Sequence, residues 1–183
     1  MVLRALWITC CIRVDENMRS ARKITLFVLI ALAWVAIDQF SKACFKGQEP
    51  GGILAGPFLG LVDVRLVHNT GGAWGIFSDN TVALGVFSVV VCLALAAYFL
   101  YTAKQASYLQ AISFALIVAG GAGNAIDRFV QGYVVDFIEF SFVDFPVFNV
   151  ADIGVTCGFA LLVISLFLQW KSDGARSEES GGA

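Results

Sequence analysis

The chain has 183 residues, 58% of them hydrophobic and only 14% charged, where a soluble domain carries about 25% charged residues. A domain of this length leaves much of its surface outside any core, so the surplus apolar surface needs lipid as its solvent. Net charge is only −2 and no basic patch or RNA-binding motif is present, so no nucleic-acid partner is expected.

Residues 1–23 are mixed and basic. An apolar run over 2–12, broken by Arg4, is too short to span a bilayer. Arg4 before it and Cys10-Cys11 after it give a signal-peptide reading, but the charged stretch 13–23 leads straight into a much longer apolar run. Residues 1–17 are therefore expected to be dispensable, with Met18 an alternative start just before Arg19, Arg22 and Lys23. The first predicted span is 24–45, since a crossing needs about 20 apolar residues at about 1.5 Å each. Near its end Asp38 and Lys42 stand four apart on one helix face, in the favourable acid-then-base order. They read as an ion pair near the membrane surface with Lys42 reaching toward headgroups, or as a brace for a site.

Residues 46–80 are punctuated by Gly and Pro. Between them, over 61–67, Val62, Val64 and Leu66 alternate with Asp63 and Arg65, which predicts a small half-buried sheet lying on the membrane. His68-Asn69-Thr70-Gly71-Gly72-Ala73-Trp74-Gly75 follows. Its glycines imply tight backbone approach or positive φ, in a plain turn or in a loop where Asn69 orients a substrate backbone. Residues 82–101 form an uncharged second span. A tight connection carries Lys104, and 108–126 form a third span ending in Gly120-Gly121-Ala122-Gly123-Asn124-Ala125-Ile126-Asp127-Arg128. The small residues permit close helix packing, and Asn124, Asp127 and Arg128 share a face. Residues 129–148 are again β-rich and aromatic. A fourth span over 153–170 precedes a polar tail, 171–183, expected to be disordered. There is no internal repeat of the kind transporters show.

Lys and Arg crowd the N-terminal flank (Arg19, Arg22, Lys23), the short connection (Lys104) and the tail (Lys171, Arg176), and are sparse in the two long connections. Both termini are therefore expected in the cytoplasm, and the loops 46–80 and 129–148 outside it. The expected organisation is an N-terminal segment 1–23, a four-span body 24–170 and a tail 171–183. The fold class is a membrane all-α protein with a small β part.

Two isolated carboxylates fall on the outer side: Asp136 in Val134-Val135-Asp136-Phe137, and Asp152 in Phe148-Asn149-Val150-Ala151-Asp152. Intramembrane carboxylates are expensive and demand a reason. Peptide hydrolysis by two carboxylates needs one ionised to take a proton from water and one protonated to hydrogen-bond the scissile carbonyl. Close carboxylates divide these roles themselves, because like charges cannot both ionise. Asp152, at a helix N-terminus, suits the anion. Asp136, among apolar neighbours, suits the protonated partner. Asp127 is a rival, but Arg128 and Asn124 can occupy it. A partner for Arg128, a proton relay and an ion site in a carrier are the competing readings. Serine chemistry is disfavoured, with no Gly-x-Ser-x-Gly and His68 the only candidate base. No His-Glu-x-x-His and no Cys-x-x-Cys is present, so no metal site is expected, and the five cysteines read as small core residues.

Taken in order, the blocks Asp38-Gln39-Phe40-Ser41-Lys42, Asn69 to Gly75, Gly120 to Arg128, Gly132 to Phe137 and Phe148 to Asp152 resemble lipoprotein signal peptidase, the bacterial signal peptidase II, over 24–170. The resemblance implies four transmembrane helices, an extracytoplasmic β-cradle and an extracytoplasmic helix. It implies an aspartic endopeptidase of the inner membrane that removes the signal peptide of diacylglyceryl-modified prolipoproteins just before the lipidated cysteine. The catalytic pair would be Asp136 and Asp152, with Asp38, Lys42, Asn69, Gly71, Asn124, Asp127, Arg128 and Asn149 binding substrate or bracing the site. It implies no metal or organic cofactor, membrane lipids around a monomer, and inhibition by the cyclic peptide globomycin. Trp74 departs from the Phe common in the family, the loop from Asp136 to Asp152 is short, and residues 1–17 have no counterpart. The alternative is a non-enzymatic four-span carrier or assembly factor, which would not account for five ordered blocks.

Overall fold

A computed structural model describes residues 2–45, 47–71 and 80–181; Lys46 and the motif residues Gly72, Ala73, Trp74 and Gly75 lie outside the described residues. In lipid every backbone N–H and C=O must pair within the chain, and an uninterrupted apolar stretch meets that demand as a helix. The helices are α1 (Val2–Ala43), α2 (Thr81–Thr102), α3 (Tyr108–Val130) and α4 (Val150–Gly181). Among the described residues four stretches are long and apolar enough to cross a membrane: Glu16–Ala43, Thr81–Thr102, Tyr108–Val130 and Val150–Gly174. Many of their large side chains point outward, among them Leu29, Leu32, Phe87 and Leu93, as lipid contact requires.

Two expected boundaries differ. α1 begins at Val2 rather than near 24, because residues 2–23 contain neither Gly nor Pro to interrupt it. The tail expected to be disordered continues α4 to Gly181. An existing helix gains one hydrogen bond per residue added, so a polar sequence without proline can extend it.

α3 is the hub and packs against each of the other helices. It starts with a capping box: the Ser107 hydroxyl accepts from the Gln110 N–H at 3.1 Å, and Gln110 Oε1 accepts from the Ser107 N–H at 2.8 Å. Around it Phe27, Phe99, Phe114, Ala111 and Ala115 form one core, with Phe27 and Phe99 stacked at 4.7 Å. At that end the Lys23 ammonium donates to the carbonyls of Lys104 (3.0 Å) and Ala106 (2.8 Å). The basic flank of α1 and the short α2–α3 connection therefore share one end of the bundle.

The sheet sits at the opposite end. Strands β1 (Ile53–Phe58), β2 (Val62–Asn69) and β3 (Val134–Phe140) are antiparallel in the order β1-β2-β3. The strand predicted over 61–67 largely coincides with β2, but the alternation does not hold, since Asp63 is buried with Leu66 while Val62 and Val64 are only partly buried. Leu66, Val135 and Phe137 form a second core with Phe45 of the α1 end and Val150 of α4. After β3 the chain folds back, and Phe148 pairs with Ile138 in both directions (2.8 and 2.9 Å). That return brings the start of α4 beside β3. Among the described residues no separate extracytoplasmic helix is found.

Close approach of α3 to α4 depends on glycine. A Cβ placed on Gly120 would collide with the Ala151 carbonyl and come within 2.7 Å of a Val155 methyl. We expect Gly120→Val to force the helices apart and cost about 1–3 kcal/mol, the usual penalty of overpacking. Thermal unfolding of the purified protein in detergent measures this, and an unchanged melting temperature would show that the contact is not tight.

Candidate active site

The site is built on the first turn of α4. Asn149 is the N-cap: its Oδ1 accepts from the Asp152 N–H, and Asp152 Oδ2 accepts from the Asn149 N–H, both at 3.1 Å. This is a capping box with aspartate in the place more often held by Glu or Gln. The other Asp152 oxygen accepts from Asn124 Nδ2 of α3 at 2.8 Å. The Asn149 amide, fully buried, donates to Asp136 Oδ1 on β3 at 2.6 Å and to Asn124 Oδ1 at 3.0 Å. Asn69 of β2 donates to Asp136 Oδ2 at 2.9 Å. Asp136 and Asp152 are thereby joined through Asn149 and Asn124. Both face a cavity of about 500 Å³, whose apolar wall includes Phe140, Phe145, Pro146 and Phe148.

Behind Asn124 lies a buried charge cluster. The Lys42 ammonium touches Asp38 Oδ2 (2.9 Å), Asp127 Oδ2 (2.9 Å) and Asn124 Oδ1 (2.9 Å). Lys42 is 4% exposed and Asp38 0%, so the expectation of an ion pair reaching toward headgroups is corrected. The reason is tertiary: Asp127 and Asn124 of α3 offer Lys42 an inward partner set that exceeds one surface carboxylate. Gly123 makes room, since a Cβ there would meet Asp38 Oδ2 at 2.5 Å. The other Asp38 oxygen accepts from the Ala151 N–H at 2.9 Å, another free donor of the first turn of α4. Gln39 was not singled out in the sequence. Its amide donates to Asp38, to Asp127 and to the Gly123 carbonyl at 3.1–3.2 Å, tying the cluster across the helices. An amide beside Asp38, directly after the uncharged stretch 24–37, was the available signal.

Arg128 donates to the carbonyls of Gly71 (3.2 Å) and Asn124 (3.4 Å) and borders the cavity, as do Asn69 and Asn124. The Asn69 side chain in turn accepts from the Gly71 N–H at 2.9 Å. Every predicted site residue thus lies in this network. His68 instead stacks on Tyr133 at 3.9 Å and does not border the cavity. The cysteine expectation is corrected in part: Cys92 is buried, but Cys44, in the turn just past α1, and Cys157, on α4 beside the cavity, are exposed.

Asp136 and Asp127 sit in different surroundings. Burial pushes the Asp136 carboxyl up to about 7, and the charge of Asp152 adds to that rise, against the pull of the Asn69 and Asn149 amides and Lys42. Asp127 meets Lys42, Gln39 and the Val135 N–H at 3.3 Å. Among the described residues no cluster of His, Cys, Asp and Glu could hold a metal ion.

A four-span membrane body carrying two amide-linked aspartates beneath an apolar cavity has the make-up of a membrane aspartic protease. The family model of signal peptidase (SPase) II matches residues 30–168. The chain is 39% identical over 149 residues to the lipoprotein signal peptidase of Streptococcus pyogenes serotype M5 (strain Manfredo), covering 81% of this chain and 95% of that one. It is 38% identical, with the same coverage, to that of serotype M3 (strain SSI-1). Two solved structures of a bacterial membrane enzyme, obtained by the in meso method at 2.3 and 1.9 Å, superpose with TM-scores of 0.72 and 0.68. Both are 32% identical; the first covers 81% of this chain and 92% of its own, the second 78% and 93%. This chain belongs to the signal peptidase II family, membrane aspartic proteases that process prolipoproteins.

Removing one partner of a buried ion pair typically costs about 3–5 kcal/mol, while a partly exposed pair contributes about 0–1 kcal/mol. Lys42→Met should therefore lower folded stability far more than Arg65→Met, whose pair with Glu139 (2.9 Å) is partly exposed. Denaturation of both variants in one detergent compares them, and equal losses would contradict the buried cluster's structural weight.

Proposed function

We propose that Asp136 and Asp152 are the catalytic pair. Their reaction is cleavage of the signal peptide from diacylglyceryl-modified prolipoproteins, just before the lipidated cysteine. The observation that carries this reading is the amide-linked placement of the two carboxylates on one cavity. Asp152, held by two N–H donors at a helix N-terminus, serves as the anion that takes a proton from water. The water oxygen then bonds to the scissile carbonyl carbon while Asp136 gives its proton to the carbonyl oxygen. Collapse of the resulting diol returns a proton to Asp136, and the proton on Asp152 passes to the leaving nitrogen as the C–N bond breaks. Asn69, Asn149 and Asn124 hold the carboxylates. Gly71 and Arg128 brace the cavity rim, and Asp38, Lys42, Gln39 and Asp127 fix Asn124 from behind. The aromatic wall suits the apolar end of a signal peptide and the cyclic peptide globomycin.

The body 24–170 carries the activity, with 1–23 and 171–183 as cytoplasmic adjuncts. The ends of the bundle support this orientation: Lys23 and Lys104 share one end and the site lies at the other. The enzyme resides in the bacterial cytoplasmic membrane with its site outward. It works as a monomer surrounded by lipid, since one chain supplies every group named. Reporters fused after Gly52 and after Ser141 should be active only if they work outside the cytoplasm. A cytoplasmic signal at either point would reverse the orientation.

Asparagine substitutions at 127, 136 and 152 separate the rivals. At equal membrane abundance, Asp136→Asn and Asp152→Asn should bring prolipoprotein cleavage to background. Asp127→Asn should retain turnover or fail through lost abundance. A stable, inactive Asp127→Asn protein beside an Asp136→Asn protein that still cuts would overturn the assignment.

The pH dependence has a defined sign. Asp136 must hold a proton to act, and its carboxyl titrates at about 7, so activity should fall as pH rises through about 7. A raised carboxyl pKa also means that the stability Asp136 contributes is full below its unfolded value of 3.8 and is lost as pH rises through about 7. A pH–rate profile that stays flat to strongly alkaline pH would contradict this role.

A further inference from the structure

β1 is the edge of the sheet, and all six of its residues are exposed. From Ile53 to Val62 the sequence has no charge and no side chain that donates or accepts a hydrogen bond. At the hairpin tip Leu59 is 96% exposed, with Phe58 and Leu61 more than half exposed beside it. Leu59 also holds φ of 53°, a left-handed conformation that a bulky side chain adopts at a cost and that Gly or Asn would adopt more readily. The loop after β3 adjoins this tip, because the Ser141 N–H donates to the Leu61 carbonyl at 3.0 Å, and it adds exposed Phe142 and Val143. In water such an edge would be an aggregation site and such a patch an interaction site.

Two features identify the occupant. The β1 edge is poorly made for another strand: Pro57 has no N–H to give, and the β1–β2 register breaks twice, between Ile53 and Ala55 and between Ala55 and Phe58. The patch is also continuous, through the aromatic cavity wall, with the start of the α4 span. Phe142 contacts Phe140 (5.5 Å between centroids), Phe140 contacts Phe145 (5.8 Å) and Phe148 (5.1 Å), and Phe148 leads directly into the first turn of α4.

We propose that β1, the tip residues Phe58, Leu59 and Leu61, and Phe142 and Val143 form a lip that dips into the acyl region of the bilayer next to the site cavity. The cavity wall and the lip share the loop 141–148, so the lip sets the depth at which the cavity opens. Resting on the proposed function, this placement lets a substrate anchored by its own acyl chains reach Asp136 and Asp152 without leaving the lipid.

The test uses the full chain in nanodiscs. Leu59→Trp adds a reporter at a position with open space, read as the difference in emission from the unsubstituted protein. Phosphatidylcholine brominated on its acyl chains should remove most of the added emission, and aqueous iodide should leave it. Quenching by iodide with none by brominated lipid would overturn the lip. Protection from both quenchers would also overturn it, placing a protein surface over the tip instead. This readout does not require turnover, so failure of the proposed function leaves it intact. With turnover, the Leu59→Asp/Leu61→Asp double variant in vesicles should raise KM for the lipidated substrate several-fold and keep kcat. A fall in kcat with KM unchanged would count against a lip that delivers substrate.

Discussion

The reciprocal bonds between Asn149 and Asp152 hold this protein's working end together. A helix that begins in an apolar setting has backbone N–H groups that water cannot satisfy. Here those groups are taken by side chains that also build the site: Asn149 Oδ1 takes the Asp152 N–H and Asp38 takes the Ala151 N–H. The remaining capacity of the Asn149 amide is spent on Asp136 and Asn124. Capping α4, closing the loop after β3 and setting two carboxylates on one cavity are therefore a single arrangement. None of the three can change without disturbing the others.

The same economy governs charge. A carboxylate taken out of water must find a cation, find hydrogen bonds or keep its proton. Lys42 serves Asp38 and Asp127 together, and Gln39 completes their shell. Asp136 and Asp152 are given amides instead of a direct ion pair. Amides hold a carboxyl group in place without forcing it to ionise. That difference sets two surroundings side by side: one pair of aspartates on a lysine, the other on amides. Asn124 stands between the two sets, accepting from Lys42 and donating to Asp152, so the lysine-bound pair and the amide-bound pair are linked through one side chain.

The sheet contributes position more than stability. Its inner residues, Leu66, Val135 and Phe137, dock it on the ends of α1 and α4, and that docking presents Asp136 to the first turn of α4. Its outer strand is apolar where a soluble protein would place charge. The sheet thus joins the buried site to the surroundings that the helices already occupy.

The sequence alone determined the solvent and the number of spans, and it singled out two lone carboxylates at the membrane boundary. Hydropathy and lone charges are local properties, and a charge in an apolar run carries its own energetic cost wherever the chain goes. Five ordered blocks also pointed to the family. Only the tertiary structure decided that Lys42 turns inward rather than toward headgroups, because its partners Asp127 and Asn124 are more than eighty residues away on another helix. It likewise decided that Gln39 belongs to the cluster, that α1 and α4 run beyond their apolar stretches, and that Cys44 and Cys157 lie outside the core. The places of Lys42 and Gln39 depend on which faces meet across the bundle, and a linear pattern of residues does not encode that meeting until α3 has packed against α1 and α4.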